Sequence, residues 1–115
     1  YNIASVYFHQ NDYINALLFA EKAIQISHDH VPSKELKAYI LLEQKRYAES
    51  EAEYKYLISI NPGNVEYSLN LVVLYLRTFN FPEAGKTLNK LFEVNPEAKN
   101  DSRIKKIAIL AQFFK

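Results

Sequence analysis

The 115-residue chain has no cysteine, no tryptophan and no methionine, and only two glycines and four prolines. Without cysteine there is no disulfide, no thiolate metal ligand and no cysteine nucleophile, and the chain is chemically compatible with a reducing or an oxidising compartment. Localisation therefore stays unassigned. The two glycines, Gly63 and Gly85, stand alone and cannot build a phosphate-cradling loop. No charge of one sign dominates: 14 Lys and Arg against 13 Asp and Glu leave a formal charge of +1. Long-range attraction of nucleic acid, anionic lipid or acidic substrate is thereby excluded, and recognition must come from a local surface. No apolar run approaches the ~20 residues that span a bilayer, so no membrane insertion is expected. The opening YNIASVYFHQ lacks the basic start and apolar stretch of a secretory signal. What is present is 49% apolar and 23% charged residues, an ordinary globular balance at the size of one domain.

The prolines mark an internal period. ISINPGN ends at residue 64 and VNPEAKN repeats its Asn-Pro 34 residues later. A shift of 34 brings similar residues into register along most of the chain: Ala4, Ala38 and Val72; Val6, Ile40 and Leu74; Tyr7, Leu41 and Tyr75. Tyr13, Tyr47 and Phe81 follow, then Ala16, Ser50 and Ala84, then Ala23, Leu57 and Leu91, and at the ends Ile26, Ile60 and Val94. Within a unit the apolar spacing is helical, as in Ile3, Val6, Tyr7 and in Leu17, Ala20, Ile24. Asp12 is placed to cap a helix, and Pro82 suits a first turn, where its missing N–H has no partner to lose. Pro62 and Pro96 cannot continue the helices before them and push Asn61 and Asn95 out of the helical region. The pattern predicts an all-α chain with helices near 1–10, 13–27, 33–44, 48–60, 65–78, 82–94 and 102–115. One pair cannot bury both its faces, so stacked neighbours supply the core.

A two-helix unit of this length, with a small residue midway in the first helix, an aromatic at the turn, a small residue in the second helix and a closing Asn-Pro, resembles the tetratricopeptide repeat. The residues that carry it are Ala4, Tyr7, Tyr13, Ala16 and Ala23; Ala38, Leu41, Tyr47, Ser50, Leu57 and Pro62; and Leu71, Val72, Tyr75, Phe81, Ala84, Leu91 and Pro96. The resemblance implies a right-handed α-solenoid of antiparallel helix pairs. It would form a single domain over 1–115, with units near 1–30, 31–64 and 65–98 and a final helix at 102–115. The pattern departs at His28, which stands in a proline position, and at Lys37, which stands where the other units have Ile3 and Leu71. The last helix fits with two extra residues in its joint, since Ile104 and Ile107 then take core positions and Lys106 does not. There is no initiator Met and both ends fall inside units, so a longer protein is expected.

Such repeats imply a concave groove lined by first helices. The face away from Ile3, Ala4 and Tyr7 carries Asn2, Ser5 and His9; its equivalents are Leu36, Tyr39, Glu43 and Asn70, Val73, Arg77. Phe8, Leu42 and Leu76 add apolar surface at the edge, with Ile109 and Phe113 in the shifted register. This strip suits an amphipathic helix or an extended apolar peptide of a partner protein. The same residues also fit packing on neighbouring parts of a longer protein, as a structural spacer, a self-association module or a regulatory arm of an enzyme. One subclass of the family clamps chaperone C-terminal carboxylates, and its positions here are Tyr1, Ser5, Leu36, Glu66 and Asn70. Only Asn70 suits a carboxylate and Glu66 repels one, so that partner is rejected.

Other chemistries find no support. His28, Asp29 and His30, with His9, form an incomplete ligand set at a joint, so no metal is expected. Glu49, Glu51 and Glu53 alternate at i, i+2 and point to different sides of a helix. No Ser–His pattern or other cofactor motif is present, so neither catalysis nor a cofactor is expected. Lys99, Arg103, Lys105, Lys106 and Lys115 read as a solvated basic cap. The first-helix trios Asn2, Leu36, Asn70 and Ser5, Tyr39, Val73 carry no repeated base-reading code, so nucleic acid is not an expected partner.

Overall fold

The computed structural model describes the backbone of residues 2–113, with the side chains of residues 2–107 and of Ile109. Seven α-helices and one 3₁₀ helix, with no strand, make up the described residues. They are α1 (Asn2–His9), α2 (Tyr13–Ile26), α3 (Val31–Glu43), α4 (Tyr47–Ile60), α5 (Val65–Arg77), α6 (Phe81–Val94), the 3₁₀ helix Pro96–Asn100, and α7 (Ser102–Phe113). The chain divides into two compact units, Tyr1–Leu57 and Ile58–Lys115.

The helix boundaries follow from capping. The Asp12 carboxylate accepts from the Asn15 N–H at 3.3 Å and from Asn15 Nδ2 at 2.8 Å. The Asn64 side chain accepts from the Tyr67 N–H at 3.1 Å and opens α5. Helix α3 begins two residues before the expected start, because Pro32 is tolerated in the first turn, where its absent N–H leaves no hydrogen bond unmade.

The turn inside each helical hairpin is the same object three times. Asn11, Lys45 and Phe79 have φ of 61°, 62° and 59°, and they sit 34 residues apart. At each, two bonds close the preceding helix: Asn11 N–H to Phe8 O with Asp12 N–H to Tyr7 O, Lys45 to Leu42 with Arg46 to Leu41, and Phe79 to Leu76 with Asn80 to Tyr75. This paired closure satisfies the last carbonyls of a helix through one left-handed residue. None of the three is glycine.

In the first unit α1 packs on α2 and α2 on α3. Ala16, Leu17, Ile40 and Leu41 form a buried cluster, with Tyr7, Phe8, Tyr13 and Leu36 packed against it. Ala4, Ala16 and Ala38 have no exposed surface, which allows close helix approach. Ser50, in the register of Ala16 and Ala84, is equally buried and donates its hydroxyl to the Ala38 carbonyl at 2.9 Å. Lys37 lies between α2 and α4, with its ammonium 3.9 Å from Glu21 and 3.5 Å from Glu53. A cation thus fills what is elsewhere an apolar register position. Ile3 and Val6, read as core from their period, are 55% and 56% exposed, whereas Ile40 and Leu74 at the register of Val6 are buried. No helix of the first unit covers that side of α1.

In the second unit α5 packs on α6, and α6 on the 3₁₀ helix and α7. Leu71, Val72, Leu74, Tyr75, Ala84, Leu88 and Leu91 are buried there. Asn95 Nδ2 donates to the Gly63 carbonyl at 3.0 Å, tying the two Asn-Pro joints together. The 3₁₀ helix accounts for the lengthened last joint. Ile104 is buried and Lys106 exposed, as an insertion requires. Counted between the helix-opening residues, His30 to Asn64 is 34 residues and Asn64 to Asp101 is 37, an insertion of three rather than two.

Candidate partner-binding faces

In the first unit Phe8 organises the candidate face. Its ring meets Tyr39 edge-on at 5.6 Å, Tyr13 at 5.9 Å and His9 at 5.7 Å. Leu36 and Tyr39 of α3 are half-buried, and Leu36 packs on the core cluster. The α1 residues Asn2 and His9 are exposed, Ser5 is half-buried, and Glu43 is half-buried in the last turn of α3. The product is an aromatic and aliphatic patch with part of each ring open to solvent and polar groups at its edge. Leu42 does not belong to it, since it is 1% exposed and part of the core.

In the second unit Asn70, Val73 and Arg77 follow one another at i, i+3 and i+7 along α5, with Asn70 and Val73 half-buried and Arg77 exposed. Leu76 is half-buried and Ile109 is 56% exposed. The side chain of Phe113 lies outside the described residues, as does Tyr1 at the first clamp position.

The charges around α5 contain a feature that the sequence reading missed. Arg103, taken for a free basic cap, reaches Glu66 at 2.6 Å and Asp101 at 3.1 Å. The guanidinium beside Asp101 holds that carboxyl below its ordinary range, with further bonds from the Arg103 and Ile104 N–H groups. Arg103 itself is held more firmly protonated, first by Asp101 and then by Glu66. Two carboxylates around one guanidinium leave this cluster net negative. The missed signal was Asp101 standing three residues ahead of the buried Ile104, a capping position.

The histidines and acidic residues singled out in the sequence lie apart among the described residues. No group of three His, Asp or Glu side chains there is placed to hold a metal ion. His28 and Asp29 are exposed, and His30 Nδ1 lies 2.7 Å from the Ser33 hydroxyl. The three glutamates of α4 diverge as expected: Glu49 pairs with Arg46, Glu51 with Lys55 and Glu53 with Lys37. No described helix is long and apolar enough to cross a membrane.

A tetratricopeptide repeat profile matches residues 41–112 and a second matches residues 1–30. With the helical pairs and the thrice-repeated turn, these matches define a helical-repeat protein. The chain belongs to the tetratricopeptide repeat family. No curated protein matches it in sequence. Among solved structures it is similar to a tetratricopeptide repeat protein from Parabacteroides merdae ATCC 43184, with a TM-score of 0.84 at 19% identity over 98% of this chain. That match spans 43% of the other protein's length. It is also similar to the TPR2B domain of yeast Sti1, solved in its complex with pHsp70, with a TM-score of 0.79 at 19% identity over 97% of this chain and 90% of that one.

Proposed function

We propose that the chain is a non-enzymatic scaffold that binds a peptide or helix of a partner protein along its first-helix faces. The contact residues are Asn2, Ser5, His9, Leu36, Tyr39 and Glu43 in the first unit and Asn70, Val73 and Arg77 in the second. The observation that carries this reading is the part-open ring cluster of Phe8, Tyr39 and Tyr13. Rings held rigid by their neighbours lose little entropy on binding and offer a large apolar area, as do the anchors of protein interfaces. Family membership supports the same reading. The TPR2B neighbour in its complex with pHsp70 lends support for a protein partner in general.

A chaperone C-terminal carboxylate is a poor fit, now for a different reason. Glu66 is compensated by Arg103, yet Asp101 shares the same guanidinium, so that cluster supplies no surplus positive charge for a carboxylate. Two of the five basic residues near the chain's end are engaged within the fold, Arg103 in ion pairs and Lys99 over the Phe92 ring at 5.4 Å, which weakens the case for nucleic acid.

The test is capture of partners on the immobilised protein, with His9→Glu and Tyr39→Glu as paired controls. His9 is exposed and its substitution leaves the core alone. Tyr39→Glu also removes an edge contact worth ~0.5–1.5 kcal/mol, so circular dichroism accompanies it. The expected result is one partner captured more weakly by both variants while helicity is kept. A partner retained by both would overturn the groove reading in favour of a spacer.

A further inference from the structure

The α5–α6 turn departs from its two counterparts in a way the fold does not require. The left-handed position is Asn11 in the first hairpin and Lys45 in the second, both polar and both exposed. Asn tolerates this conformation best among residues with a Cβ, and a bulky side chain tolerates it badly. In the third hairpin the same position, at φ 59°, holds Phe79. The residue is 78% exposed, so burial does not offset the backbone cost. Among the described residues its aromatic neighbour is Phe81, edge-on at 6.4 Å. Beside it Asn80 opens α6 without a side-chain cap bond; of the equivalent residues, Asp12 caps α2 with its carboxylate and Arg46 instead bonds Gln44 and Glu49. A strained, solvent-facing aromatic next to an uncommitted cap side chain, in a turn with two ordinary internal controls, points to use outside the fold.

We propose that this turn is a second interaction element, in which the Phe79 ring inserts into an apolar pocket of a partner protein and the Asn80 amide hydrogen-bonds with peptide groups at the pocket's rim. Charge decides between a protein and a lipid occupant. Glu83 and Lys86 near the turn pair with each other at 3.3 Å, and Arg77 adds a single positive charge rather than a basic cluster. One ring without a polybasic patch anchors weakly to a bilayer, whereas a ring with an adjacent amide matches the anchor-and-rim organisation of protein interfaces.

The experiment places a photo-crosslinking p-benzoylphenylalanine at position 79, with the exposed Lys90 as the control position, in extract of the source cells. The crosslinked protein is then purified and titrated against wild type, Phe79→Asn and Phe79→Trp. Binding weakened at least about tenfold by Phe79→Asn and kept by Phe79→Trp is the expected result. A raised melting temperature for Phe79→Asn is expected alongside it, since Asn relieves the strain. Several results would overturn the proposal: no crosslink above that at position 90, unchanged affinity in Phe79→Asn, or a lowered melting temperature showing that the ring serves the fold. Phe79-dependent co-sedimentation with phosphatidylcholine–phosphatidylserine vesicles would equally reject a protein pocket in favour of lipid.

Discussion

Small residues at the helix contacts were the most legible feature of the sequence. Ala16, Ser50 and Ala84 recur at one register position, and all three are fully buried. A larger side chain there must push paired helices apart, since these positions have no exposed surface. Ala16→Leu is therefore expected to destabilise the fold by ~1–3 kcal/mol through overpacking. Lys55→Ala is expected to change stability by less than ~0.5 kcal/mol, because its ammonium is solvated and its bond to Glu51 is a surface i, i+4 pair. Urea denaturation of both variants checks the register, and equal effects would contradict it. Less legible were Lys37 and Phe79. Hydropathy places Lys37 outside, yet two carboxylates from flanking helices hold it 24% exposed in an apolar position. Phe79 falls in the gap between the helices expected at 65–78 and 82–94, and only the backbone shows that it is left-handed.

Most helix boundaries marked by a cap or a proline were legible, the Pro32 start of α3 excepted, and those that depend on contacts distant in sequence were less so. Asp12, Pro62, Pro82 and Pro96 act as their chemistry dictates. The 3₁₀ helix and the three added residues before α7 left only a weak trace, because PEAKN carries no hydrophobic period. The start of α7 consequently depends on Asp101, whose carboxylate accepts from the Arg103 N–H at 2.8 Å and bonds the same residue's guanidinium. Its folded-state pKa lies below the ordinary value, chiefly through the Arg103 side-chain bond. A depressed carboxyl contributes stability that is present above the unfolded-state pKa and is lost as pH falls through the folded-state value. Asp101→Asn keeps a capping oxygen but removes the charge. It is expected to lower the melting temperature by a constant amount from neutral pH to roughly pH 5, and the gap should close as the solution is acidified further. A gap independent of pH in thermal melts would assign the effect to capping geometry alone.

For the molecule as a whole, the family and the all-helical repeat were readable because period, small residues and joints agree with one another. The candidate face was only half readable. Helical spacing identified which side of each first helix is in question, but Leu42 proved to be core and Leu36 partly so, a distinction that depends on what the neighbouring helices cover. Each unit carries its own candidate face, aromatic in the first and aliphatic with Asn70 and Arg77 in the second. A partner segment that engages both gains from each, and losing either contact leaves the other bound at lower affinity. Tyr39→Glu in the first unit and Val73→Glu in the second are thus each expected to weaken capture of the same partner by about tenfold or more, as for a carboxylate introduced at an apolar anchor. The double variant should show none. Isothermal titration of the captured partner against the three proteins checks this. If Val73→Glu binds like wild type while Tyr39→Glu does not, the partner uses the first unit alone, and the α5 residues are packing surface rather than binding surface.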